Sequence, residues 1–267
     1  MRHCVKPPVF LAVPCAALAV IVGCGGSSSS PPASPFPSLN GNYQLKATST
    51  VNGTSTLIGG QVTESSGTVT GMVHVAGTRC FNFLSDVAVS GTVTKDGALE
   101  VKSSSVAQQV ITINATVSED GSTISTGTYM IAGGCADKDK GSVSGFRVPT
   151  INGTYAGTFA TTGGQIKTSV QISQTTAADA NGFFHLSGSG TFNSSCFTKA
   201  SIATPSKDSE VLGTTVVVDL TTNEAGAKSI IVATGTLDAT GKTFTGTYVV
   251  AGGSCNGDSG SGTLTLQ

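Results

Sequence analysis

Tryptophan is absent from the 267-residue chain, and methionine and histidine occur three times each. Charged side chains make up only 11% and aromatics 6%, with 14 Lys and Arg against 15 Asp and Glu for a formal net charge of −1. Nucleic-acid binding needs a basic surface that displaces counterions, so that class is excluded. A long helical protein is excluded too, because Ala, Leu, Glu, Lys and Arg are scarce beside Thr, Val and Gly. What is there is small and hydroxylic: 33 Ser, 38 Thr and 35 Gly make 106 of the 267 residues.

Residues 1–23 have the layout of an export signal. Arg2 and Lys6 supply positive charge, and Val9 to Val22 form an apolar run interrupted only by Pro14. The run is shorter than the roughly 20 residues a membrane-spanning helix needs. It ends Ile21-Val22-Gly23-Cys24, which resembles the lipobox of bacterial lipoproteins. The resemblance implies cleavage before Cys24, a diacylglycerol on its thiol and an acyl chain such as palmitate on its new amino group. A membrane is then the expected partner and the cell envelope the expected location. Gly25 in place of Asp implies, by the same family's pattern, the outer membrane of a host with two membranes. Residues 24–38 read as a tether, flexible where Gly and Ser dominate and stiffer where prolines follow.

The rest is a duplication. Leu39-Asn40-Gly41-Asn42-Tyr43 matches Ile151-Asn152-Gly153-Thr154-Tyr155, and Gly127-Thr128-Tyr129 through Cys135 matches Gly246-Thr247-Tyr248 through Cys255. Each copy also carries a Cys-Phe pair, Cys80-Phe81 and Cys196-Phe197. A period near 115 residues is one domain rather than a solenoid repeat, so domains over 39–150 and 151–267 are expected. Cys4 and Cys15 fall in the removed segment, leaving two cysteines per copy beyond Cys24. In an oxidising compartment they pair, and duplication of a self-contained unit favours Cys80–Cys135 and Cys196–Cys255.

Period-two stretches rich in β-branched residues fill each copy, punctuated by Asp96-Gly97, Asp120-Gly121, Asn181-Gly182 and Gly163-Gly164, read as two-residue hairpin turns. The first copy reads as eight strands near 41–49, 55–63, 67–76, 79–89, 91–103, 108–118, 122–131 and 141–148. The fold class expected is all-β: two tandem homologous antiparallel domains, each a small up-and-down barrel, with an immunoglobulin-like sandwich as the alternative. The Asn-Gly-x-Tyr opening and returning last strand loosely resemble lipocalin and avidin-like barrels. That likeness implies a small apolar ligand inside one or both barrels, faced by Tyr43, Phe81, Tyr129, Tyr155, Phe197 and Tyr248. Core packing explains the same six residues.

Catalytic chemistry does not assemble. His74 and His185 are not equivalent by position, and a lone strand histidine is usually structural. Gly257-Asp258-Ser259-Gly260 has the letters of the nucleophile turn of chymotrypsin-like proteases, but only eight residues follow Ser259 and no base motif accompanies it. Asp137-Lys138-Asp139-Lys140-Gly141 and Asn256-Gly257-Asp258-Ser259-Gly260 start like calcium loops yet lack the later carboxylate, so backbone-capping hairpin loops are expected and no metal. No cofactor fingerprint occurs. The two copies carry 7 basic with 8 acidic residues and 5 with 7, so neither is a charged docking surface. The expectation is a non-catalytic envelope lipoprotein with a structural or interaction role toward a protein or glycan. The alternative is a lipocalin-like carrier of a small apolar molecule.

Overall fold

The computed structural model describes residues 35–76, 80, 86–203, 206–224 and 227–267. The expected export signal, Cys24, nearly all of the expected tether and Phe81 lie outside the described residues.

The first copy forms β1 (Gly41–Ser49), β2 (Ser55–Ser65), β3 (Thr68–Ala76), β4 (Asp86–Val93), β5 (Ala98–Ser103), β6 (Val110–Val117), β7 (Thr123–Ala132) and β8 (Lys140–Arg147). Each strand pairs antiparallel with the next, and β8 returns to β1 with Tyr43 opposite Arg147 and Ser49 opposite Gly141. The sheet is a closed barrel. Closure satisfies both edges, which an open sheet would leave as templates for aggregation. Alternation does the rest: in β5, Leu99 and Val101 point inward while Ala98, Glu100 and Lys102 face solvent. In β7 a bulge at Ser125–Thr126, with Thr126 at φ 47, shifts the register so that Ile124, Tyr129 and Ile131 all stay inside.

The second copy forms β9 (Asn152–Thr161), β10 (Gly164–Gln174), β11 (Phe184–Phe192), β12 (Lys199–Ile202), β13 (Glu210–Leu212), β14 (Thr215–Thr222), β15 (Ser229–Leu237), β16 (Thr243–Ala251) and β17 (Ser259–Leu266). β17 pairs with β9, and β12 and β13 share the place between β11 and β14. This ring also has eight positions, with its fourth strand broken in two. Ser209 bridges the break: its carbonyl accepts Leu186 N–H and its hydroxyl accepts Asp219 N–H, both at 2.8 Å. Closed rings replace the two facing sheets a sandwich would need.

Up-and-down winding gives each barrel two ends. In barrel 1 the chain enters at the end that carries the β2–β3, β4–β5 and β6–β7 turns, here called the floor. The opposite end carries the β1–β2, β3–β4, β5–β6 and β7–β8 connections. The disulfide Cys80–Cys135 ties two of those four, with Cα atoms 5.5 Å apart. Cys196–Cys255 staples the corresponding end of barrel 2 at 6.1 Å. Both pairings are the ones expected from the duplication.

Several expectations need correction. The strand expected over 91–103 is interrupted: Thr94–Gly97 turns, with Gly97 N–H donating to Thr94 O and Gly97 at φ 82, so β4 ends at Val93 and β5 begins at Ala98. The first part of the strand expected over 79–89, Cys80 apart, lies outside the described residues. Thr162-Gly163 rather than Gly163-Gly164 makes the β9–β10 turn, because Gly164 already pairs with Thr161. Asn181-Gly182 sits in a nine-residue connection, 175–183, where barrel 1 has only Ser66-Gly67. The tether stops short of residue 38. Pro37 and Leu39 are buried, and Phe36 packs on the core of barrel 1. Phe36-Pro37-Ser38-Leu39 therefore matches Val148-Pro149-Thr150-Ile151, whose Val148 and Ile151 enter the core of barrel 2. The repeat begins four residues before its Asn-Gly-x-Tyr signature.

Candidate functional site

Five of the six sequence-selected aromatics, Tyr43, Tyr129, Tyr155, Phe197 and Tyr248, are buried in the barrels among Val, Ile and Leu side chains. Tyr43 is 1% exposed and donates its hydroxyl to Gly121 O at 2.6 Å; Tyr155, its counterpart, donates to Gly241 O at 2.5 Å. Each bond ties the first strand of a barrel to its sixth turn. Tyr129 and Tyr248 donate to Asp139 and Asp258 at 3.0 and 3.1 Å. Phe197 is 2% exposed, edge-on to Phe192. Burial pushes the Tyr43 phenol up to about 12, and burial first raises Tyr129, Tyr155 and Tyr248 as well, with the neighbouring carboxylates adding to it.

Little space remains in either barrel among the described residues. A cavity of about 50 Å³ in barrel 2 has a lining of Tyr155, Phe159, Phe197, Val218, Phe244 and further apolar side chains, and barrel 1 holds about 20 Å³. Sites for drug-sized ligands run to roughly 300–1,000 Å³.

At the disulfide-bearing ends, the loops that begin like calcium sites spend their oxygens on the protein itself. Asp137 and Asn256 accept the N–H groups of Gly133 and Gly252, at 2.8 and 2.9 Å. Asp139 accepts the Ser49 hydroxyl as well as Tyr129. Asp258 binds Tyr248 and the Ser259 N–H, which gives the Gly257–Gly260 turn a structural use. Among the described residues no group of three or more His, Cys, Asp or Glu is placed to hold a metal.

Both histidines lie near the place where the barrels meet, each with its own partners. His74, in β3, is 7% exposed; its Nε2 lies 3.1 Å from Asp86 Oδ1 and 3.1 Å from the Asn181 carbonyl, and its ring packs 4.6 Å from that of Phe183. Both neighbours of Nε2 are acceptors, so the proton sits on that nitrogen. His185 pairs Nε2 with Asp179 Oδ2 at 3.2 Å. The Nδ1 of each ring is buried without a partner among the described residues, and neither ring bonds a serine, threonine or cysteine there. Glu210, opposite His185 in the β11–β13 ladder, has its carboxyl raised chiefly by burial.

Beside this cluster lies a second set of contacts. Asn42 Nδ2 donates to Gly213 O at 2.8 Å while its Oδ1 accepts Gly213 N–H at 2.7 Å. Gln44 Oε1 accepts Thr214 N–H at 3.0 Å and the Thr214 hydroxyl at 3.1 Å. Only glycine suits position 213: at φ +55, a Cβ there would stand 2.3 Å from Gln44 Oε1. The extra hairpin of barrel 2 and its β13–β14 turn thus lock onto the β1–β3 wall of barrel 1. Sequence reasoning missed this seam. Its one visible signal is a longer spacing in the second copy, 41 residues from Tyr155 to Cys196 against 37 from Tyr43 to Cys80.

Outside, Met130 and Val249 are about half exposed at matching positions, 55% and 50%. An open groove of about 480 Å³ runs past Met130, Thr128, Lys140 and Thr50.

No protein-family model, curated protein or solved structure matches the chain. Function has to be argued from the residues themselves.

Proposed function

We propose that this chain is a non-catalytic lipoprotein of the bacterial cell envelope. A lipid on Cys24 holds it at a membrane, and it acts through its outer surfaces in a structural or interaction role toward an envelope protein or glycan. One observation carries the reading: a positive start, a short apolar run, Ile21-Val22-Gly23-Cys24 and a Gly/Ser/Pro spacer follow in that order, ahead of two disulfide-stapled barrels. The barrels support it by keeping their polar interior groups for themselves. The tyrosine hydroxyls bind turn carbonyls and loop carboxylates rather than pointing into open space. In a host with two membranes the outer one is the destination, since Gly25 follows Cys24.

The test is expression of the whole precursor in bacteria fed labelled palmitate. The native chain takes up label and partitions into detergent, whereas Cys24→Ser remains unlabelled and aqueous. Label or detergent partitioning retained in Cys24→Ser overturns the proposal. The carrier reading has one observation in its favour, the apolar lining of the barrel 2 cavity, and its volume of about 50 Å³ against it.

A further inference from the structure

We propose that Asn181 is a site of spontaneous deamidation, and that its conversion to isoaspartate opens the joint between the two barrels. The chain has five Asn-Gly pairs, beginning at Asn40, Asn52, Asn152, Asn181 and Asn256. Glycine has no side chain to shield its backbone nitrogen, which makes each pair a candidate for attack on the asparagine amide. Four of these amides are already engaged. Asn40 Oδ1 accepts the Glu64 N–H at 3.0 Å, Asn52 that of Thr54 at 2.9 Å, Asn152 that of Gln174 at 3.2 Å and Asn256 that of Gly252 at 2.9 Å. Freeing such a bond first slows attack several-fold. Asn181 is exposed, and its carboxamide has no hydrogen-bond partner among the described residues. Backbone restraint does not separate the pairs. Gly182 N–H donates to Asp179 O at 3.1 Å, Gly53 N–H to Ser49 O at 3.1 Å and Gly257 N–H to Val250 O at 2.8 Å, while Gly41 and Gly153 lie in β1 and β9.

The chemistry uses only the chain and water. The Gly182 nitrogen bonds to the Asn181 side-chain carbonyl carbon, its proton leaves with the amide group as ammonia, and a cyclic imide remains. Water opening the imide at the side-chain carbonyl gives aspartate. Opening at the backbone carbonyl gives isoaspartate, with an extra carbon in the main chain and a free carboxylate where the Asn181 carbonyl stood. That carbonyl is the one 3.1 Å from His74 Nε2. Gly182 packs so closely on β3 that a Cβ there would stand 2.6 Å from Met72 O. The turn itself is closed by the Asp179 carboxylate, which accepts the N–H groups of Asn181 and Phe183 at 2.9 and 3.0 Å. An added carbon between those two donors fits neither the turn nor the space against Met72, so the hairpin lifts from barrel 1.

The experiment ages the purified full-length chain for days in mildly alkaline buffer and reads each Asn-Gly pair by peptide mass, with electron-transfer fragmentation to tell aspartate from isoaspartate. The folded chain converts Asn181 several-fold faster than Asn40, Asn52, Asn152 or Asn256, and in urea the five rates come together. Another pair converting as fast as Asn181 in the folded chain, or a difference that persists in urea, overturns the site. Hydrogen exchange then reads the joint. The isoaspartate fraction exchanges faster at 72–74 and 181–183, whereas fresh Asn181→Asp, which has the charge without the extra carbon, exchanges like the native chain. Unchanged exchange in the isoaspartate fraction, or equally fast exchange in Asn181→Asp, overturns the effect on the joint.

Discussion

Replacing Asn42 with Ala tests whether the two barrels are one cooperative body. Asn42 is 3% exposed, and its amide makes two bonds of 2.7–2.8 Å to the N–H and C=O of Gly213, imitating one rung of a β-ladder across the seam. Alanine leaves both backbone groups without partners in a buried place. Each orphan costs about 1–3 kcal/mol, so the coupling weakens by about 2–6 kcal/mol, toward the lower end where water enters the gap. The loss falls on the seam. Neither ladder of β1 changes, because the side chain contributes nothing to its pairing with β2 and β8. Calorimetry is expected to show one unfolding transition for the native chain and two separated transitions for Asn42→Ala, with faster hydrogen exchange confined to 179–183 and 210–217. Asn42→Asp keeps the acceptor for Gly213 N–H but sets a carboxylate oxygen against the Gly213 carbonyl, so it behaves like alanine or worse. An Asn42→Ala protein with an unchanged transition and unchanged exchange at Gly213 would refute the idea that these bonds join the barrels.

Alkaline titration reads the interior, since Tyr43, Tyr129, Tyr155 and Tyr248 are the chain's four tyrosines and it has no tryptophan. All four have raised pKa values, so the neutral phenol is favoured by folding; that stability is whole below pH 10 and is lost as pH rises through the folded value, about 12 for Tyr43, which alone contributes about 2–3 kcal/mol. Tyrosinate absorbance should appear together with loss of the β-sheet signal, and four phenols ionising near pH 10 in folded protein would contradict this. Removing Cys196 and Cys255 together frees a loop of 59 residues and should cost barrel 2 about 4 kcal/mol in urea unfolding, a loss that an unchanged midpoint would deny. Ala233→Val adds a β-branched side chain at the rim of the 50 Å³ cavity and should raise the urea stability of barrel 2 by up to about 1 kcal/mol, which a lowered midpoint would contradict.

The sequence made legible what local chemistry decides. Period-two alternation, Asp-Gly turns and duplicated cysteines mark strands, hairpins and disulfides, and Asp120 illustrates why: its carboxylate, held down to about 2 by the Ser118 hydroxyl and the Ser122 N–H and hydroxyl, caps its own turn. The roles of Asp137 and Asn256 as backbone caps followed from the missing calcium ligand. What could not be read are contacts between distant segments. Nothing near His74 announces Asn181, 107 residues away, and nothing near Asn42 announces Gly213, 171 away. The break between β12 and β13 is hidden because Ser209 repairs the ladder with a side chain. The floor was visible in Phe36-Pro37 and Val148-Pro149, but composition drew the eye to a spacer where packing makes a plug.

The most direct measurement is an intact mass of the mature protein extracted from bacterial membranes without reduction, with peptide mapping of its N-terminus. The expected mass is the chain from Cys24 with two disulfides plus a diacylglycerol and an amide-linked acyl group, and no further small molecule held in the barrels. A chain that retains residues 1–23, or one that starts at an unmodified Cys24, would contradict the account.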